Sequence, residues 1–141
     1  FLANLSIEQR TQRWHTWLSD VEEQFVCVAE TEDKEIVGFA AGTYNREPLD
    51  AAYAGELWAI YILPQAQRQG VGRRLVQGVV QALREKGMDT LIIWALAENP
   101  GRHFYEALGG EYIRTKDCTI GDQILPEVAY GWLNTGSLAV L

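Results

Sequence analysis

The segment from residue 55 to residue 96 constrains the fold more than any other part of the chain. It begins with GELWAIYILP (55–64), an apolar run rich in β-branched and aromatic residues, and ends with a second such run, TLIIWAL (90–96). Between them, apolar residues recur four apart on one helical face: Leu75, Val79 and Leu83. Gly87 then offers a left-handed C-terminal cap. Because a helical connection between strands of one sheet is a right-handed crossover, the two strands are predicted to be parallel.

The residues before this segment predict a helix and a hairpin. Ser6 followed by Gln9 fits a capping box, and the apolar residues behind it recur at helical spacing. Residues 6–19 are therefore predicted to form an amphipathic helix. FVCVAE (25–30) and IVGFAAGTY (36–44) flank a polar turn and predict two paired strands.

The residues after the segment predict a short helix and a second hairpin. NPGRHFYEALGG (99–110) opens with a capping asparagine and a proline suited to the first helical turn, and it ends on two glycines. EYIRTKDCTI (111–120) and LPEVAYGWL (125–133) flank a tight Gly-Asp turn. The expected fold is α+β, with one domain over residues 1–141, a mixed sheet flanked by helices and a C-terminal β-hairpin.

The composition is that of a globular domain with an acidic balance. The 141 residues are 48% hydrophobic and 22% charged, and the formal net charge is −7. That balance argues against nucleic-acid binding, which needs a basic face. No apolar run approaches the ~20 residues of a membrane span, and no secretory signal pattern opens the chain. Cys27 and Cys118 both lie in predicted strands, so reduced thiols and a cytoplasmic location are expected.

The stretch QRQGVGRR (67–74) places glycines and arginines between the first parallel strand and its helix. Backbone N–H groups of such a turn converge at the positive end of the helix dipole and make an anion site. Gly70 and Gly72 are expected to let the backbone approach a phosphate that a Cβ would push away. Further positive charge comes from three side chains: Arg68, Arg73 and Arg74.

Several ligands and one ligand-free interpretation compete for this loop. A nucleotide-binding P-loop would need a Gly-Lys-Ser/Thr ending, which is missing here. A dinucleotide fingerprint would need a third glycine where Leu75 stands. Taken alone, the loop is compatible with a plain turn into a helix.

Together with its surroundings, the loop resembles the pyrophosphate loop of the GNAT superfamily of acetyl-CoA-dependent N-acyltransferases. QRQGVG (67–72) matches that family's Q/R-x-x-G-x-G/A pattern. LWAIYILP matches the strand before the loop, and FYEALGG matches the short helix and turn that follow the next strand. The resemblance runs from Ser6 onward in the family's element order, and the family's first strand and helix are expected to be missing from this sequence. It implies that the two central parallel strands are splayed apart, with a bulge nearby.

The resemblance implies acetyl-CoA as cosubstrate and points to the residues that would bind it. Its pyrophosphate is expected on the main-chain N–H groups of Arg68, Gln69, Gly70, Val71, Gly72 and Arg73. Its pantetheine arm is expected to pair like an added strand with the strand edge at Ile60, Tyr61 and Ile62. Asn99 resembles a family asparagine that contacts this arm, although its capping role explains it equally well.

Transfer of an acetyl group to an amine needs a proton acceptor, donors for the oxyanion and a proton donor for the leaving thiolate. Tyr105 occupies the FYE position that supplies the family's general acid. Glu56 stands 14 residues before Gly70, the offset of the base glutamate in the histone-acetylating branch, and is the candidate base through water. His103 is a rival base. The oxyanion donor would be a main-chain N–H near residues 60–62.

These side chains also have structural interpretations. Tyr105 could simply pack a helix on the sheet, Glu56 could only attract a cationic substrate, and His103 could be a surface residue. An acyl-cysteine intermediate at Cys27 or Cys118 is disfavoured, because no adjacent histidine and acid are legible for either. No cluster of residues has metal-ligand spacing, so a metal-free mechanism is expected.

The function implied is acetylation of a primary amine, either a small molecule or a protein amino group, by direct attack in a ternary complex. Asp50, Glu56 and Glu127 could line an acidic mouth for a cationic acceptor. Trp58 and Trp94 would lie on the splayed strands, in the core by default, with one of them alternatively lining the acceptor pocket. A non-catalytic acyl-CoA sensor and an unrelated phosphate-binding domain are the alternatives. A homodimer is a candidate assembly, because dimers are frequent in proteins of this type.

Overall fold

The computed structural model describes residues 6–12, through their backbone, and residues 24–45 and 51–140. The strands are β1 Ser6–Gln12, β2 Gln24–Glu30, β3 Ile36–Tyr44, β4 Gly55–Ile62, β5 Leu91–Leu96, β6 Glu111–Ile120 and β7 Gln123–Trp132. The helices are α1 Val71–Glu85 and α2 Arg102–Ala107, and short 3-10 turns cover Pro64–Ala66 and Thr135–Ser137. None of the helices in these ranges is long and apolar enough to cross a membrane.

The strands form one mixed sheet in the order β1-β2-β3-β4-β5-β7-β6. Both predicted hairpins are present: β2 pairs antiparallel with β3, and β6 pairs antiparallel with β7 across the predicted Gly-Asp turn. The crossover through α1 makes β4 and β5 parallel, as the sequence predicts. The α+β fold with a mixed sheet and a C-terminal hairpin is therefore confirmed.

The predicted helix over residues 6–19 is wrong in the part that the structure describes. Residues 6–12 form β1, which pairs antiparallel with β2 from Ser6 opposite Glu30 to Gln12 opposite Gln24. The outer edge of β2 carries main-chain N–H and C=O groups that need partners, and this ladder outweighs a local capping-box pattern. The tryptophans that carried the helical periodicity, at positions 14 and 17, lie outside the described residues.

Helix α1 packs across the sheet through the apolar face that the sequence predicts. The predicted contact residues are all at most 1% exposed: Leu75, Val79 and Leu83. They share one core with Leu57 of β4 and Ile93 of β5. Burying each leucine or valine side chain contributes roughly 1.5–3 kcal/mol, so α1 is fixed firmly against both parallel strands.

Helix α2 packs on the same face of the sheet, beside α1. The Tyr105 ring lies 6.2 Å from the ring of Tyr130 on β7, centroid to centroid. The indole N–H of Trp132 donates to the main-chain carbonyl of Leu108, 3.2 Å away, just after the helix ends. Gly109, with a left-handed φ of +92°, reverses the chain there, as the glycine pair predicts. These contacts hold α2 over the ends of β5 and β7.

The parallel strands β4 and β5 are splayed, as the resemblance implies. They pair only where residues 55–57 lie opposite residues 91–93. Beyond this point β4 continues to Ile62 and pairs only with β3, while β5 continues to Leu96 and pairs only with β7. The facing edges of the two strands therefore carry no mutual ladder over their last residues.

A β-bulge on β4 lies where the splay begins. Leu57 is opposite Gly42 of β3 and Ala59 is opposite Ala41, so Trp58 is the extra residue. A bulge bends its strand and increases the local twist, which turns β4 away from β5. The bulge expected from the resemblance is thus present.

Candidate functional site

A cleft of about 420 Å³ lies between the splayed strands. Its described lining includes residues of the helix face of the sheet, among them Ile60, Ile93 and Tyr105. Other lining residues stand on the opposite face, which we call the open face: Phe39, Trp58, Tyr61, Trp94, Cys118, Ile120 and Glu127. Because side chains alternate between the faces of a strand, a cleft lined from both faces passes between the strands. Two ligands can therefore meet there from opposite sides of the sheet.

The edge of β4 supplies a main-chain wall of this cleft. Ile60 and Tyr61 line the cleft, and both pair with β3 on their other side. Ile62 is the last residue of the strand, and its carbonyl accepts a hydrogen bond from the Gln67 side-chain amide, 3.0 Å away. An unladdered strand edge offers N–H and C=O groups to an extended ligand. The predicted pantetheine residues thus stand together, with Ile62 tied to the loop.

The loop before α1 has the backbone geometry of an anion site. Arg68 and Gly70 both have left-handed φ values, +64° and +82°. Gly70 is the N-cap of the 15-residue helix α1, and this N-cap makes no side-chain hydrogen bond to the helix. A Cβ on Gly70 would meet no described atom within 4 Å, so the glycine faces open space beside the N–H groups of the first turn. These groups and the helix dipole fit a pyrophosphate.

Gly72 has a different role from the one predicted for it. A Cβ at this position would lie 3.1 Å from Cζ of Phe104 on α2 and 3.2 Å from Cδ1 of Ile62. Its missing side chain therefore lets α1 approach α2 and β4, and it does not make room for a phosphate. The expectation that both glycines clear space for the ligand holds in geometry for Gly70 alone.

Tyr105 lies on α2 with its ring in the wall of the cleft. Its side chain is 7% exposed and packs between the rings of Phe104 and Tyr130, at centroid distances of 5.6 and 6.2 Å. Burial raises the pKa of the phenol above its usual value of 10, because the anion is costly to desolvate. The hydroxyl therefore keeps its proton through the neutral range and can donate it.

Glu56 and His103, the two candidate bases, stand in different surroundings. Leu57 belongs to the core under α1, so the preceding residue, Glu56, points to the open face just before the splay. Glu56 is half-buried but is not among the described residues that line the cleft. The His103 side chain is 72% exposed, and its Nδ1 lies 3.0 Å from the carboxylate of Glu106. His103 is thus a surface residue, and Glu56 would need a bridging water to reach the cleft.

Asn99 lines the cleft, but its predicted capping role is displaced by two residues. Its side-chain oxygen accepts the main-chain N–H of Gly101, 2.8 Å away, and the N-cap of α2 is Gly101 itself. The asparagine therefore closes the turn between β5 and α2, a local bond typical of this residue type. In this position its amide borders the cleft.

A charged group on the hairpin lies at the far wall of the cleft, where Trp94 and Glu127 are lining residues. The Lys116 ammonium lies 4.1 Å from the centroid of the Trp94 ring and 3.7 Å from the Glu127 carboxylate. The guanidinium of Arg114 lies 4.9 Å from the same ring. Trp58 also reaches the cleft, and its indole N–H donates to the side chain of Gln24. Both tryptophans therefore line the cleft, while Asp50 of the predicted acidic mouth lies outside the described residues.

Sequence reasoning missed the cleft contributions of Phe39 and Cys118, and the position of Lys116 beside the lining residues Trp94 and Glu127. The position of Lys116 is predictable from the sequence. Counting outward from the predicted Gly-Asp turn places Lys116 opposite Glu127, which is the observed register. Phe39 carries no such signal, because its place depends on how β3 pairs with the bulged strand β4. Among the residues that the structure describes, no three histidine, cysteine or acidic side chains are grouped to hold a metal ion.

The two thiols should differ sharply in reactivity. Both cysteines are free. Cys27 is 1% exposed, and burial raises the pKa of its thiol to about 11. At pH 8 only about one in a thousand Cys27 thiols is the reactive thiolate. Cys118 is half-buried and lines the cleft, so a reagent can reach it. Iodoacetamide at pH 8 should therefore modify one thiol in a fast phase that mass spectrometry locates at Cys118.

Matched single variants check this assignment. Cys118→Ser should abolish the fast phase, and Cys27→Ser should leave it unchanged. Because the Cys27 thiolate becomes more populated as the pH rises towards about 11, its slow reaction should accelerate with pH. Loss of the fast phase in Cys27→Ser would contradict the burial of β2.

The fold and the cleft together define the acyl-CoA N-acyltransferase class. The defining features are a mixed sheet with splayed parallel strands and a loop with left-handed φ values that leads into a helix. The comparison with known families agrees with this. A model of the acetyltransferase (GNAT) family matches residues 3–110. The chain belongs to this family.

Individual proteins are similar to this chain at several levels. It is 35% identical over 117 residues to the uncharacterized N-acetyltransferase YuaI of Bacillus subtilis, an alignment that covers 82% of this chain and 66% of YuaI. The chain thus spans a little less than two thirds of that relative.

Solved structures share the fold at lower identity. The ribosomal-protein-alanine N-acetyltransferase of Brucella melitensis has a TM-score of 0.64 and 23% identity, over 77% of this chain and 68% of that one. YncA of Salmonella typhimurium, solved with its cofactor acetyl-CoA, has a TM-score of 0.61 and 18% identity, over 77% of this chain and 64% of YncA.

Proposed function

We propose that this protein is an N-acetyltransferase that transfers the acetyl group of acetyl-CoA to a primary amine by direct attack in a ternary complex. The observation that carries the proposal is the buried Tyr105 side chain in the wall of a cleft that passes between the splayed strands. A proton donor at this place suits the departure of a thiolate. Family membership supports the same reaction.

Acetyl-CoA would supply the activated acetyl thioester, and the chain's residues fit its shape. The N–H groups of Arg68, Gln69, Gly70, Val71, Gly72 and Arg73 would hold the pyrophosphate, and the open space at Gly70 gives room for it. The edge of β4 at Ile60, Tyr61 and Ile62 would pair with the pantetheine arm. Asn99 borders the same cleft and would contact the arm from the turn between β5 and α2.

The proton transfers fall to two side chains of different character. Tyr105 holds a proton in a buried site and would donate it to the sulfur as the thiolate leaves. Glu56 would accept the proton of the incoming ammonium through a water, because it points to the open face two residues before the bulged residue Trp58. A lysine-like amine is less than ~0.1% free base at neutral pH, so this proton transfer is needed.

The acceptor in this proposal carries a primary amino group, on a small molecule or on a protein. The Brucella protein of similar structure is named a ribosomal-protein-alanine N-acetyltransferase, and this name supports a protein amino group as one candidate acceptor. The test of the proposal is release of free thiol from acetyl-CoA across a panel of amines. Thermal stabilisation by acetyl-CoA with no thiol release from any amine would instead select a non-catalytic acyl-CoA sensor.

Glu56→Gln separates a proton acceptor from a charge that merely attracts the substrate. We expect kcat to fall about a hundredfold near pH 7, because general-base catalysis contributes about 10²–10⁴ in rate. The loss should shrink as the pH rises towards the pKa of the amine, since more acceptor is then already deprotonated. Stopped-flow or steady-state thiol release over pH measures both effects.

His103→Ala and Glu111→Gln are the controls, because both residues are exposed at sites outside the cleft lining. Each should leave kcat within about twofold, as is usual for surface substitutions. A Glu56→Gln variant with raised KM and unchanged kcat would show that Glu56 only attracts the substrate. A large loss in His103→Ala would return that histidine to the mechanism.

A further inference from the structure

We infer that the acceptor is a small monoamine whose amino group is carried by a single apolar or aromatic body. This inference rests on the proposed function and adds the chemical class of the substrate. It contradicts the expectation of an acidic mouth for polyamines. Its basis is the wall of the cleft on the open face of the sheet, where exposed aromatic rings meet a charge pair that is already satisfied.

The open-face wall is aromatic and exposed. Trp58 is 49% exposed, Tyr61 54% and Phe39 39%, and all three line the cleft. The rings of Phe39 and Tyr61 lie side by side, with centroids 6.5 Å apart. Adjacent exposed aromatic rings that share one cavity mark a binding surface, whereas scattered ones do not. They provide an apolar surface suited to a ring or a branched chain.

The charges at the far wall do not complement a polycation. Glu127 is the one carboxylate among the described residues that line the cleft, and Lys116 pairs with it at 3.7 Å. Lys116 also covers the face of Trp94, with Arg114 near the same ring. Aromatic faces and carboxylates are the groups that would bind a second ammonium. The protein's own cations already engage these groups, so the described part of the wall offers no place for the second charge of a diamine or polyamine.

The size of the cleft limits how much of the acceptor can enter. At about 420 Å³ it lies near the lower end of the range for small-molecule sites, roughly 300–1,000 Å³. The same space must hold the end of the thioester arm. The part of the acceptor that enters is therefore about one ring or one branched side chain, attached directly behind the amino group.

The first test compares amines of defined shape by thiol release. The panel contains 2-phenylethylamine, 3-methylbutylamine, propylamine, spermidine, an aminoglycoside and a short peptide with a free N-terminus. We expect kcat/KM for the two bulky monoamines to exceed that for spermidine and the aminoglycoside by about tenfold or more. Higher kcat/KM for spermidine, the aminoglycoside or the peptide would overturn the inference and leave the proposed acetyltransferase intact. No turnover with any amine would overturn the proposed function and this inference together.

A pair of variants tests the aromatic wall. Tyr61→Ala removes a ring of the cleft, and Tyr112→Ala removes a ring of similar exposure, 60%, that lies outside the cleft lining. The ratio of kcat/KM for 2-phenylethylamine to that for propylamine should fall about fivefold or more in Tyr61→Ala only. An equal ratio in the two variants would show that the wall does not contact the acceptor.

A second pair tests the charge argument as a gain of activity. Lys116→Ala removes the nearer of the two cations over Trp94 and the ion-pair partner of Glu127, and it should raise kcat/KM for spermidine about tenfold relative to 2-phenylethylamine. Lys86→Ala changes the net charge equally at the end of α1 and should leave that ratio unchanged. A ratio that stays constant in Lys116→Ala would show that Lys116 does not exclude a second ammonium.

Discussion

Replacement of Tyr105 by phenylalanine is expected to lower kcat about a hundredfold or more while the Kd for acetyl-CoA changes less than about twofold. The substitution removes only the phenol oxygen, and a positioned general acid contributes about 10²–10⁴ in rate. The ring contacts with Phe104 and Tyr130 are retained, so the cleft keeps its shape. Thiol release at saturating substrates gives kcat, and calorimetry gives the affinity.

The control is Tyr130→Phe, which removes the neighbouring phenol from the same aromatic cluster. Tyr130 is 2% exposed and touches the Tyr105 ring, but it does not line the cleft. Its loss should leave kcat within about twofold, as expected for a residue outside the reacting groups. Comparable losses in the two variants would mean that the cluster supports the fold and donates no proton. Unchanged turnover in Tyr105→Phe would remove Tyr105 from the mechanism.

The pH profile gives a second signature of the same group. An acid works only while protonated, so its contribution is present below its pKa and is lost as the pH rises through it. Burial moves the pKa of Tyr105 upward from 10, so the decline that it causes in kcat should lie above pH 10. In Tyr105→Phe this decline should be missing from the profile. A decline in the wild type well below pH 10 that vanishes in the variant would contradict the raised pKa.

Local patterns were sufficient for most of the sheet. The apolar run of residues 36–44 after a polar turn predicts β3 at its observed bounds, and the apolar spacing from Leu75 to Leu83 predicts the buried face of α1. The crossover rule then made β4 and β5 parallel without any further information. These features depend on neighbours in sequence, so the sequence alone determines them.

Other features depend on contacts between distant segments. Residues 6–12 became a strand because the edge of β2 was available to pair with, and a local capping pattern contains no trace of that partner. The bulge at Trp58 exists only as a mismatch in register between β3 and β4. The sequence predicts that Gly72 makes room for a phosphate, whereas the structure shows that it makes room for Phe104. Phe104 lies 32 residues further along the chain, so no local pattern indicates this contact.

The candidate site also combines features that follow from local motifs with features that follow from contacts between distant segments. The loop, Tyr105 and the edge of β4 are predicted from motifs that resemble one family. The structure places Tyr105, Ile60 and Tyr61 in the wall of one cleft and joins the loop to Ile62 through the Gln67 side chain. Trp58 and Trp94 are candidate pocket residues in the sequence, but their grouping with Phe39 is not predictable, because the three residues come from three strands. Their grouping follows from the splay, which no local pattern encodes. Motifs therefore indicated the reaction, and the arrangement of strands indicates the acceptor.

Gly70→Ala should weaken acetyl-CoA binding about 10–100-fold. Its φ of +82° costs an alanine about 1–2 kcal/mol, and the added Cβ enters the open space beside the first-turn N–H groups. Displacing the pyrophosphate from these donors loses charged hydrogen bonds of about 1.5–3 kcal/mol.

A second glycine, at the other end of α1, separates the effect of backbone strain from the effect on acetyl-CoA binding. Gly87, just after α1, has a φ of +83°, and a Cβ there also meets no described atom within 4 Å. Gly87→Ala should therefore lower the free energy of unfolding about as much as Gly70→Ala, roughly 1–2 kcal/mol in urea titrations. Calorimetry should show weakened acetyl-CoA binding in Gly70→Ala alone, because Gly87 lies at the opposite end of the helix from the N–H groups. Equal affinity in the two variants would mean that the loop does not hold the pyrophosphate, since only the position of the methyl group distinguishes them.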